Sequence, residues 1–277
     1  MKTIRINGEI KALSPIHHGG NEKTGSEVLF RTMKFKIGKE FLDIPYIDGN
    51  AVRGILRRMI MADFLKLSGY NEFKTIRAYH TFFSGGVLET IDEKSQGFLS
   101  LDLRRKIRNF LPPLSLFGST YGNQAFSGKM IVGKMLPLCK ELAEHEMIQT
   151  TKKTDSLPSF YELRDFIFQT RRDELRAERK EDEQAIQMLI SFQVLIAGSE
   201  FAHYFQLTDT TLIEEGCFRR CLNLWTKKPY IAGKQSTGQG EIKFHYDLSK
   251  LGSEKSYLQF ITANKEKINE ILAMLDK

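Results

Sequence analysis

The side chains best placed to do chemistry are Asn50, Arg53, Arg57 and Arg58, which follow Ile44-Pro45-Tyr46-Ile47-Asp48-Gly49 at helical spacing. Pro45 suits a strand end, Asp48-Gly49 is a turn pair and Asn50 is a good N-cap, so a helix is expected from Ala51. On that helix Val52, Ile55, Leu56, Met59 and Ile60 share one face, while Arg53 and Arg57 lie four apart beside it with Arg58 adjacent. Free helical N–H groups, the positive end of the helix dipole and guanidinium forks together suit a phosphate or a nucleic-acid backbone. A surface helix with solvated arginines uses the same residue types, and spacing alone does not separate the two.

His17 and His18 stand in a polar, glycine-bearing excursion that begins at Ser14-Pro15 and runs to about Phe41. A histidine pair could ligate metal or exchange protons, but no Cys, His or carboxylate stands at ligand spacing. Nucleic-acid contact or a turn role is therefore preferred. Lys234, Gln235, Ser236, Thr237 and Gln239 occupy the glycine-rich loop Ile231–Ile242. Its glycines let backbone N–H groups approach phosphate, and without a Gly-Lys-Ser/Thr ending it is expected to grip RNA rather than ATP. Phe117, Gly118, Ser119 and Tyr121 lie in the turn-rich stretch Leu111–Gly122, where they could stack on bases and bond phosphates or simply plug the core. Cys217 and Cys221 are four apart with no second pair, which favours core packing over a metal site.

These residues must be positioned by a chain of 277 residues with 41% apolar and 27% charged residues, ordinary for a globular protein able to bury a full core. Its net charge of +7 and pI near 9.2 imply an acidic partner, most often nucleic acid. Three cysteines without framework spacing argue against a disulfide scaffold, and neither an export signal nor a membrane span is visible, so a cytoplasmic location is expected. Residues 3 to 13 alternate as a half-buried strand, and residues 125 to 136 read as a second. Residues 70 to 111 form a mixed helical insert with a basic run at Arg104–Arg108. Residues 145 to 185 form a polar projecting arm, whose Tyr161–Glu183 half holds six Lys/Arg and eight Asp/Glu. Residues 187 to 207 read as a bent strand or hairpin, Thr208-Asp209 as the cap of a helix to about Trp225, residues 241 to 247 as a last strand, and the remainder as a short peripheral helix.

Strand, insert, helix, insert, strand, arm, strand, helix, loop, strand is the order of an α+β, ferredoxin-like (RRM-like) core with large insertions. With its motifs the chain resembles the RAMP superfamily of CRISPR proteins, specifically the backbone subunit of multi-subunit effector complexes. The resemblance rests on Leu13-Ser14-Pro15-Ile16-His17-His18-Gly19-Gly20, on Ile44–Gly54 and on Leu116-Phe117-Gly118-Ser119, and spans about residues 3 to 247. The His-His pair and Gln169-Thr170-Arg171-Arg172-Asp173 look most like the type IV backbone subunit.

The resemblance implies one domain over 1–277 with inserts at about 14–45, 70–111 and 145–185, the last projecting as a thumb. It implies a helical filament of copies along a CRISPR RNA, with other effector-complex subunits and a target nucleic acid as partners, in antiviral or anti-plasmid defence. Asn50, Arg53, Arg57 and Arg58 would then grip the phosphodiester chain, Phe117 to Ser119 shape the groove, and the loop at 233 to 240 close it. Arg31 in the first excursion and Thr170, Arg171 and Arg172 on the thumb join the RNA-binding set. Guide–target pairing would read sequence while the protein supplies charge and shape, with no catalysis, cofactor or metal of its own. Type III relatives cut target RNA with an aspartate in the first excursion. Here Gly25-Ser26-Glu27 holds none, so cleavage is not expected. The competing readings are a CRISPR repeat-RNA endonuclease of the same superfamily, with His17 or His18 as general acid, and a decoy that mimics a backbone subunit. The backbone reading requires the helix start at Asn50 and the loop at Lys234 to converge in one trough.

Overall fold

The computed structural model describes residues 2–24, 27–86, 99–121, 124–145, 148, 154–171 and 188–276. Alternation of Ile4, Ile6 and Ile10 with Arg5, Asn7 and Glu9 makes Thr3–Ala12 a strand, β1, with Ile6 and Ile10 buried. The first excursion holds β2 (Gly19–Thr24), β3 (Glu27–Phe30), β4 (Thr32–Ile37) and β5 (Glu40–Pro45), and leads into α1 (Gly49–Ser68). The second insert holds α2 (Ile76–Phe83) and α3 (Leu101–Phe110), and after it come α4 (Pro112–Phe117), β6 (Ser119–Tyr121) and β7 (Gln124–Phe126). After β8 (Met130–Val132) and β9 (Leu136–Pro137) come the arm strands β10 (Arg164–Arg171) and β11 (Met188–Leu195), then β12 (Glu200–Thr208). The chain closes with α5 (Leu212–Lys227), β13 (Ile242–Tyr246), α6 (Glu254–Ala263) and α7 (Lys265–Leu275).

The main sheet runs β13-β1-β12-β8, antiparallel throughout, with β9 also paired to β12. With α1 between β1 and β8, and α5 between β12 and β13, this is the ferredoxin-like βαββαβ order carrying insertions. The two core helices lock together through Arg220, whose guanidinium meets the Asp63 carboxylate at 2.7 Å, and through buried Cys221 against the Leu56 carbonyl. Cys217 and Cys221 are both buried, and the core-packing expectation for them holds. Gly49 is fixed by contact: a Cβ there would stand 2.4 Å from the Val132 carbonyl oxygen and 2.7 Å from that of Gly133, so only glycine lets α1 start against the end of β8.

The structure revises several boundaries. The expected strand at 125–136 is divided into β7, β8 and β9, and the run at 187–207 is two strands in different sheets joined by a turn at Gly198 with φ +90. Helix α5 is capped by Thr211 rather than Thr208-Asp209, in a reciprocal capping box with Glu214. The C-terminal segment is not peripheral. Tyr257, Ile261, Ile268, Ile271, Leu272 and Leu275 are all buried, and the Asp276 carboxylate accepts N–H bonds from Lys74 and Thr75. The first excursion and the base of the arm build one four-stranded sheet, β10-β11-β3-β2. Most of the outer arm, Arg172 included, and Gly25-Ser26 lie outside the described residues.

Candidate nucleic-acid interface

The start of α1 is capped by Asp48, not Asn50. The Asp48 carboxylate accepts the Asn50 N–H at 2.8 Å, and its backbone is extended at φ −65 and ψ 138. Aspartate caps as well as asparagine does, and Gly49 and Asn50 are already helical. The carboxylate lies 3.9 Å from both Arg31 Nη1 and Lys134 Nζ. Arg31 is therefore engaged in holding the cap. The helix terminus already faces a carboxylate of the chain itself, which leaves the side chains beyond it as the candidates for meeting an anion.

Those side chains are Asn50 and Arg58. Asn50, Gly54 and Arg58 recur at i, i+4 and i+8, and this stripe is the open face of α1, with Asn50 and Arg58 exposed. On one side the stripe borders a cavity of about 430 Å³ shared with His17, His18, Gly19, Ala232 and Gly233. On the other it borders a cavity of about 570 Å³ shared with Arg53, Arg57, Tyr79, Phe83, Ser84, Gly85, Phe117 and Gly118. Asn50, Gly54 and Arg58 line both, so the two cavities form one trough across the helix. Gly54 was not singled out from sequence, although its place midway between Asn50 and Arg58 marks it.

The required convergence is present. The Gly233 N–H donates to the His17 carbonyl at 3.0 Å and the Gly240 N–H to the Pro15 carbonyl at 2.9 Å, which ties the glycine-rich loop to the first excursion. Lys234, at φ +59, lies over the Phe192 ring at 4.1 Å and donates to Gln169 Oε1 at 3.2 Å, linking the loop to the arm sheet. Gln235 donates to the Ala232 carbonyl and Thr237 to the Lys234 carbonyl, so both brace the loop, while Ser236 is exposed. Gln239 is buried with its Oε1 unpartnered among the described residues and takes no part in the trough surface.

Burial favours the uncharged form of both histidines. His17 Nδ1 donates to the Gln193 carbonyl at 2.9 Å, and burial lowers its pKa against the help of that bond. His18 Nε2 accepts the Asp48 backbone N–H at 3.2 Å, and burial, with the Arg31 charge next, pulls its pKa to about 4. Among the described residues no group of three or more His, Cys, Asp or Glu could hold a metal.

Arg57 is a correction to the sequence reading. It is buried, donating to the Phe82 and Thr81 carbonyls at 2.5 Å each and to that of Gly118 at 2.8 Å, and burial lowers its pKa to about 10. Its fork joins α1, α2 and the Phe117-Gly118 bend and commits three of its five N–H donors to their carbonyls. Arg53 is likewise turned inward, bonding the Phe117 carbonyl and, at 3.2 Å, that of Met130. Phe117, Ser119 and Tyr121 are buried, and Ser119 donates to the Thr81 carbonyl at 2.6 Å. This cluster plugs the core. Phe117 and Gly118 contribute the trough floor, while Ser119 and Tyr121 do not line it. Thr170 is exposed on β10, adjacent to Arg171 at the end of that strand.

No helix among the described residues is long and apolar enough to cross a membrane. Neither a family model nor a curated protein matches the chain. Among solved structures it is similar to a chain of an assembly titled "Type IV-B CRISPR Complex", with a TM-score of 0.62 and 18% identity, covering 90% of this chain and 92% of that one. At that identity the likeness shows a shared fold over nearly the whole of both chains.

Proposed function

We propose that the chain is a guide-RNA-binding backbone subunit of a CRISPR effector complex, arranged with copies of itself along the RNA and without chemistry of its own. The observation that carries this reading is the single trough in which α1, the His17-His18 turn and the Gly233 loop meet. Its open cation is Arg58, while Lys234 stands half-buried at the loop over Phe192, and the chain's net charge of +7 favours a polyanion. The fold likeness to a chain of a type IV-B CRISPR complex supports the choice of guide RNA among polyanions. Co-expression with a CRISPR array, purification and negative-stain imaging test it. A nuclease-sensitive helical array carrying guide RNA is expected, and a monomer free of nucleic acid would sink the reading.

One observation favours a second reading, the repeat-RNA endonuclease. His17 Nδ1 is committed to the Gln193 carbonyl and burial favours the uncharged ring, which leaves Nε2 as a proton acceptor at the trough. A specific, metal-independent cut in repeat RNA that disappears in His17→Ala would establish it.

A further inference from the structure

Helix α2 carries aromatic side chains on two faces. Ala78, Thr81 and Phe82 are buried in the core, whereas Tyr79 and Phe83, also four apart, turn toward the trough. The Tyr79 and Phe83 ring centroids are 5.0 Å apart with planes inclined at 35°, and Tyr79 keeps 51% of its surface exposed. Phe82 already supplies the core contact from this helix, so Tyr79 is not held by core packing. Its ring lines the cavity that also holds Asn50, Gly54 and Arg58.

The ring is held on a fixed support. Arg57 bonds the Thr81 and Phe82 carbonyls, and the Thr120 N–H bonds the Gly85 carbonyl at 3.0 Å, so the C-terminal half of α2 is clamped to α1 and β6. Three arginines and no carboxylate line this cavity among the described residues, which favours an anion over an apolar peptide. A flat ring face beside an exposed guanidinium matches the two halves of a nucleotide, the base on the ring and the phosphate on the cation.

We propose that Tyr79, backed by Phe83, is a stacking platform for one unpaired base of the RNA strand whose phosphates lie over Asn50 and Arg58. This rests on the RNA-binding reading above and adds a base contact to it. The test uses the full chain, a uridine dodecamer bearing 5-iodouridine, and a matching dodecamer of abasic sites. Expected are a photocrosslink at Tyr79, about tenfold weaker uridine binding in Tyr79→Ala with its salt slope kept, and binding restored in Tyr79→Phe. The abasic strand should bind wild type and Tyr79→Ala alike. Uridine binding unchanged in Tyr79→Ala but weakened in Arg58→Ala would overturn the platform and leave the RNA trough standing. No salt-dependent binding of either strand by the wild type would overturn both. Tyr79 is half exposed, and an unchanged melting temperature of Tyr79→Ala separates lost stacking from lost folding.

Discussion

The backbone N–H of Asp48 donates to His18 Nε2 across 3.2 Å, which makes the cap of α1 depend on an uncharged imidazole thirty residues earlier. Protonating that nitrogen removes the acceptor and sets a positive charge against Arg31. Because the folded pKa of His18, about 4, lies below its ordinary value of 6.5, its contribution to stability is complete above pH 6.5 and is lost as pH falls toward 4. Buried His203 acts in the same direction, with a pKa near 3. Its Nε2 donates to the Gly133 carbonyl while Nδ1 accepts from the Tyr246 hydroxyl. Melting temperature is expected to fall steadily from pH 6.5 to 4, and His18→Ala to flatten that fall only in part. A wild-type melting temperature constant over this interval would contradict both assignments.

Arg57→Ala should destabilise the fold by about 3 kcal/mol, because it strips the Thr81, Phe82 and Gly118 carbonyls of their shared donor and empties a buried site. Arg57→Lys should recover little of this, since an ammonium cannot span three carbonyls with the guanidinium's fixed fork. Urea unfolding of the two variants, compared by their midpoints, measures the effect.

Arg58→Ala should leave stability within about 0.5 kcal/mol of wild type, whereas Lys234→Ala, which loses its place over Phe192 and its bond to Gln169, should cost about 1 kcal/mol, and each should lower the slope of log affinity for RNA against log salt by about one. Fluorescence anisotropy across a salt series reads the slope. Equal slopes in wild type and both variants would remove these cations from the interface.

Gly49→Ala should destabilise by about 1 to 3 kcal/mol despite the higher helix propensity of alanine, since the new methyl meets two backbone carbonyls that cannot swing aside. Calorimetry decides the sign.

The βαββαβ skeleton was legible because its strands alternate and its two core helices carry apolar residues at i, i+3 and i+4. The meeting of the Asn50 turn with the glycine-rich loop was legible as well, since both are built from residues that favour close backbone approach. Illegible was the direction in which each arginine points. Arg53, Arg57 and Arg58 lie within six residues, and only the carbonyls brought in by α2 and the Phe117-Gly118 bend separate a buried guanidinium from an open one. The joint sheet of first excursion and arm was also hidden, because the parallel pairing of Phe192 with Val28 joins distant stretches and leaves no local pattern. The cap passed to Asp48 because two good capping residues stand two apart and local propensity does not rank them.

The bonds from Gly233 to His17 and from Gly240 to Pro15 join stretches more than two hundred residues apart. During synthesis one wall of the trough leaves the ribosome long before the other exists. A ligand gripped by both walls cannot be captured by a half-made chain, so loading awaits translation of the loop at 233 to 240, and fragments ending before residue 230 should be unable to compete for it.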